Sequence, residues 1–221
     1  MTVLTKVAAA TPARPPSRAS RLLALGLLAG PLFTAGYLAL GAVHGDGYSV
    51  VRHPVSSLAL GPLGWAQVAN FVVCGLLVVL FAIGLRRSLR PGRGAAAVPA
   101  LVMTCGIGLI GAGVLRSDPV GATVLTWHGQ LHNLAFALPG FAALTLAMVA
   151  AAITFARRGF AVYSMVSALA FATLFGVAML GFFGVDPWAT TAGLWQRLCL
   201  STGFLWLALL AISRRRVTPT G

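Results

Sequence analysis

The sequence predicts an all-α membrane protein, a bundle of six transmembrane helices, and three observations carry that prediction. Hydrophobic residues make up 58% of the 221-residue chain and charged residues only 9%, against roughly 25% charged in a soluble domain. The apolar residues fall into six long runs, and a bilayer core of about 30 Å requires about 20 such residues per helix. Arginine clusters mark alternate ends of these runs, which is the pattern that sets membrane topology. The length leaves room for one membrane domain and no second folded one.

Residues 1–19 read as a disordered cytoplasmic tail, because Thr11-Pro-Ala-Arg-Pro-Pro-Ser-Arg18 offers nothing to pack. The transmembrane domain covers 20–213, and 214–221 form a second cytoplasmic tail. The first apolar run, 22–43, exceeds the roughly 7–15 residues of a cleaved signal peptide's hydrophobic stretch and is expected to stay as a helix. Five further runs cover 65–85, 95–115, 129–156, 160–184 and 193–213. Pro31 and Pro139 lie inside helices one and four, where neighbouring helices can satisfy the freed carbonyls. The stretch from Gly106 to Gly113 in helix three should allow close helix approach. Cys74, Cys105 and Cys199 sit in apolar runs without metal-type spacing, so they are expected as small buried residues.

Orientation follows from the basic residues. Thirteen of them fall on the N-terminal tail, the second-to-third and fourth-to-fifth connections and the C-terminus. Three, Arg52, Arg116 and Arg197, fall on the other side. The positive-inside rule then puts both termini in the cytoplasm. The formal net charge of +13 is therefore a topology signal, and no nucleic-acid partner is expected. Fifteen Arg against a single Lys, with abundant Ala and Gly, suggest a GC-rich bacterial genome and an inner-membrane location.

The groups able to do chemistry gather outside. All three acids (Asp46, Asp118, Asp186) and all four histidines (His44, His53, His128, His132) lie at outer helix ends, and the chain has no Glu. Odd helices exit near an Asp, and even helices re-enter with Trp65, Trp127 or Trp195. Two entries share Gln-x-x-Asn, in Gln67/Asn70 and Gln130/Asn133, which suggests three helical hairpins opening outward. Interfacial Trp belts and Asp-Pro turns produce the same features.

His128 and His132, four apart on a helix, point two imidazoles the same way, as one metal ion needs. Asp118, His53 or His44 could supply a third zinc ligand, and His53, Asp118, His128 and His132 are the candidate metal set. The His-Glu-x-x-His protease motif is excluded for want of a Glu. A haem site is disfavoured because no His lies in mid-span. Interfacial capping by both His is the alternative. The apolar loop from Tyr48 to Trp65 should fold back as a short interfacial segment. Its Ser56 and Ser57 are candidate nucleophiles near a His, or helix caps. Asp118, His128 and Ser56 are the candidate catalytic residues.

The segments Arg52-His-Pro-Val-Ser-Ser-Leu-Ala-Leu-Gly-Pro-Leu-Gly-Trp65, Ala66-Gln-Val-Ala-Asn-Phe71, Leu115-Arg-Ser-Asp-Pro119 and Thr126-Trp-His128 resemble the bacterial membrane family called domain of unknown function 998. The resemblance spans 22–213. It implies six helices and no established activity, and it marks Asp118 and His128 as family features. The family's Phe-Pro-x-Asp-Pro is replaced here by Val114-Leu-Arg-Ser-Asp-Pro119. A looser likeness to alkaline-ceramidase-type membrane hydrolases rests on Ser49, His53, Asp118, His128 and His132, although helix count and motif order differ.

Two readings stand. One is a protein that binds a membrane lipid, a lipid-like ligand at the outer leaflet or a protein partner, its outer Arg and Asp forming ion pairs. The other is a metal-assisted hydrolase in which His53, Asp118, His128 and His132 converge. The sequence leaves the oligomeric state open.

Overall fold

A computed structural model describes residues 18–45, 47–89, 95–155 and 157–215. It contains six helices long and apolar enough to cross a membrane: α1 (Arg18–Val43), α2 (Gly64–Ser88), α3 (Ala97–Val114), α4 (Trp127–Thr154), α5 (Arg158–Phe182) and α6 (Ala192–Arg215). No strand occurs among the described residues. The expected tails fall largely outside the described residues, and the described residues at their edges, Arg18 and Arg215, are helical. Asp46, Arg90 and Arg93 also lie outside the described residues.

The helices form a closed ring in chain order. Each packs against its neighbours in sequence, and α6 closes the ring against α1. The three expected hairpins are present as chain-adjacent pairs, but the pairs α2–α3 and α4–α5 pack as well, so the ring is continuous. One face carries Arg86, Arg87, Arg157, Arg158, Arg214 and Arg215; the opposite face carries the histidines.

In lipid, no hydrophobic force distinguishes a helix partner from a hydrocarbon tail, so close packing and interhelical hydrogen bonds decide which faces meet. Glycines supply the close approach. A Cβ at Gly75 of α2 would lie 2.7 Å from the carbonyl oxygen of Gly106 on α3, and one at Gly108 would lie 3.0 Å from the Cα of Gly140 on α4. The glycine stretch of α3 thus serves both neighbours. Polar pairs add direction: Asn70 Nδ2 donates to the Phe33 carbonyl of α1 at 3.1 Å, and Trp206 Nε1 of α6 donates to Ser164 Oγ of α5 at 3.0 Å. Such bonds contribute roughly 0.6–2 kcal/mol each. The three cysteines are buried and free.

Pro139 does more than kink α4. Residues His132–Ala137 form a π-helical turn, and the Leu138 N–H donates to the Asn133 carbonyl. Proline has no N–H and crowds the carbonyl four residues back, and a widened turn relieves both problems. The α1–α2 connection folds back as expected. Its 3₁₀ helix, Val55–Leu60, buries Val55, Leu58 and Ala59. The segment touches α1, α2, α3 and α6, so it caps the ring at the histidine face.

Candidate functional site

The C-terminal carbonyls of α3 have no partners within their own helix, and α4 supplies them. His132 Nδ1 lies 2.8 Å from the Ala112 carbonyl oxygen and 2.7 Å from that of Leu115. His128 Nδ1 lies 3.0 Å from the Arg116 carbonyl oxygen. A carbonyl only accepts, so both imidazoles carry their proton on Nδ1 and leave Nε2 free. The i, i+4 spacing aims both rings at one helix end.

Asp118 organises the adjoining turn. Its Oδ2 accepts from the Thr126 N–H at 3.0 Å and its Oδ1 from the Thr126 hydroxyl at 2.7 Å. The Thr126 hydroxyl oxygen in turn accepts from the Gly129 N–H at 3.1 Å, capping the start of α4. A side chain at position 129 would overlap the Asp118 carboxylate and push it away from Thr126.

A second polar cluster fixes the capping loop. Arg197 of α6 is 6% exposed. Its Nη1 donates to the His53 carbonyl at 3.0 Å and to the Gly193 carbonyl at 2.9 Å, and its Nη2 donates to the Tyr48 hydroxyl. The guanidinium also lies 5.4 Å from the Tyr37 ring centroid. Beside it, Gln196 Oε1 accepts from the Val55 N–H at 2.8 Å, and the Leu194 N–H donates to the Val51 carbonyl at 2.9 Å. The rings of His44, Tyr48 and His53 lie in sequence, tilted by 35° and 30°, with centroids 4.8 and 5.6 Å apart. His53 Nδ1 accepts from the Ser49 N–H at 2.8 Å. Burial, with Arg52, Arg197 and His44 nearby, pushes the His53 pKa below its usual value. Burial raises that of Tyr48, against the pull of Arg197.

Beneath the capping loop lies a cavity of about 80 Å³. Phe33, Phe71, Phe136, Phe141, Phe171 and Phe204 wall it, with Leu144 and Leu207 deeper in the ring. Ser56, His132 and Gln196, all near the histidine face, are its hydrogen-bonding side chains apart from the Cys105 thiol.

The expected zinc set does not assemble. Among the described residues no three His, Cys, Asp or Glu side chains are grouped to hold a metal ion. His53 belongs to the loop cluster, whereas Asp118, His128 and His132 surround the end of α3. Among the described residues, Asp118 and Arg197 also meet other partners in place of the expected ion pairs. Asp118 accepts from Thr126, and Arg197 donates to carbonyls and a phenol. Ser56 does not cap its helix, where Pro54 holds the cap position without a side-chain bond; it lines the cavity. Gln67 is fully buried and Gln130 is exposed, so the shared Gln-x-x-Asn pattern meets two different environments.

The family model described as "Protein of unknown function (DUF998)" matches residues 27–213, most of the chain. The chain belongs to the DUF998 family. No curated protein and no solved structure matches it. The cavity of this DUF998 protein draws residues from the capping loop and every helix of the ring, and no sequence motif announces it. Gln196 and Arg197 are the residues that sequence reasoning undervalued. The available signal was a polar pair inside the last apolar run.

Proposed function

We propose that this DUF998 protein binds a membrane lipid at the outer leaflet of the bacterial inner membrane, taking part of one hydrocarbon chain into its central cavity. The observation that carries this reading is the cavity itself, walled by six phenylalanines and bearing hydrogen-bonding groups near one end. Concave, mostly apolar sites with a few convergent polar groups are the usual form of a ligand pocket. Its volume of about 80 Å³ is below the ~150 Å³ that holds benzene in an engineered cavity. That size suits a narrow chain segment better than a bulky ring. The hydrolase reading is the weaker one, because its metal ligands are not grouped among the described residues.

The test is photo-crosslinking in nanodiscs with a diacylglycerol bearing a diazirine in one acyl chain. Crosslinks are expected on the cavity wall around Phe136 and Phe141. Ala137→Leu, which extends a cavity-lining side chain, should reduce them several-fold. Crosslinks confined to lipid-facing positions such as Val162 and Leu169, and unchanged in the variant, would overturn the proposal.

A further inference from the structure

Resting on the lipid-binding reading, we infer that the occupant's polar end is an uncharged hydroxyl: the ligand is a long-chain alcohol or a diacylglycerol and not a phospholipid or a fatty acid. Three groups argue for this. His132 is 4% exposed, and its Nδ1–H is committed to the α3 carbonyls. Its Nε2 is thus an acceptor without a partner among the described residues, on a side chain that lines the cavity. Gln196 has its Oε1 committed to the Val55 N–H, which leaves its Nε2–H₂ as a donor. The Ser56 hydroxyl, on the capping loop, can act either way.

An alcohol matches this set. Its O–H donates to His132 Nε2, its oxygen accepts from Gln196, and Ser56 adjusts to either. A ketone or ester carbonyl accepts only and leaves His132 unmatched. A hydrocarbon end matches none of the three, and unmatched polar groups in an apolar site are costly. Charge decides the remaining cases. No Arg, Lys, Asp or Glu lines the cavity, and the nearby Arg197 directs both terminal nitrogens to the loop and its own helix. A carboxylate or phosphate would enter an apolar site without a counter-ion, at high desolvation cost.

The experiment is competition against the diazirine diacylglycerol probe, using the full chain in phosphatidylcholine nanodiscs. The competitors are oleyl alcohol, dioleoylglycerol, oleate and dioleoylphosphatidylglycerol. Oleyl alcohol and dioleoylglycerol should displace the probe at concentrations about tenfold or more below the two anions, the worth of at least one matched hydrogen bond. Gln196→Glu keeps the acceptor for Val55 and exchanges the donor for oxygen, so it should weaken displacement by oleyl alcohol about tenfold. Ser56→Ala, which removes no side-chain hydrogen bond among the described residues, should weaken it by a smaller factor. Equal competition by oleate and oleyl alcohol would overturn the hydroxyl inference while leaving chain binding intact. So would oleyl alcohol affinity unchanged in both variants. Absence of any cavity crosslink from the probe would overturn the lipid-binding reading itself.

Discussion

At the scale of single residues, the histidines divide by what each ring nitrogen touches. His128 and His132 donate through Nδ1 to carbonyls at the end of α3. His53 uses the same atom as an acceptor, from the Ser49 N–H, so its ring is held neutral with its proton on Nε2. Its depressed pKa follows the same logic, since burial and the nearby Arg52 and Arg197 oppose a second positive charge. The neutral form is favoured in the folded state, so its stabilising contribution is present above the ordinary value of about 6.5. It declines as pH falls, because the unfolded chain then binds a proton that the folded loop resists. Thermal melts between pH 7.5 and 5 should show falling stability for the native chain. His53→Asn, whose Oδ1 can still accept from Ser49, should flatten that slope; an unchanged slope would show that other groups govern it.

At the scale of elements, the capping loop and α4 show where the sequence was readable and where it was not. The loop between Tyr48 and Trp65 was too apolar to be free, and it does pack into the ring through Val55 and Leu58. Its anchor was not readable, because Arg197 is distant in sequence and in isolation resembles a charge at a helix end. The π-helical turn in α4 was half readable: Pro139 announced a break, but only the chain geometry shows how the helix absorbs it. Arg197 is the element's chief restraint, since one planar guanidinium reaches two carbonyls and a phenol. A lysine offers a point charge with no such fork. Arg197→Met should therefore release the loop by leaving buried acceptors unmatched, a cost of roughly 1–3 kcal/mol. Hydrogen exchange should quicken across residues 47–57 and stay slow in α2 and α3. Arg197→Lys should restore only part of the protection. Equal exchange in the native chain and the methionine variant would show that the buried apolar residues alone hold the loop.

At the scale of the whole molecule, six helices and their approximate ends were readable because a bilayer demands long apolar runs. The ring and its cavity were not. In lipid both the inward and the outward face of a helix are apolar, so periodicity does not reveal which side is inside. Phe33, Phe71 and Phe204 lie in apolar runs like their neighbours, and nothing in those runs marks that they surround a space. Only the glycines of α3 betrayed close neighbours. Sidedness was the other global feature carried by sequence, and the ring makes it consequential. The capping loop, the cavity and the free His132 nitrogen all lie toward one face, so orientation decides which leaflet can supply a ligand. Thirteen basic residues against three predict, by the positive-inside rule, that the opposite face is the cytoplasmic one. A reporter enzyme active only in the periplasm should be silent when fused after Arg90 and active when inserted after Gly121, in the connection that carries Asp118. Activity at Arg90 with silence at Gly121 would reverse the molecule. The same cavity would then open toward the cytoplasmic leaflet, and its ligand would have to come from that side.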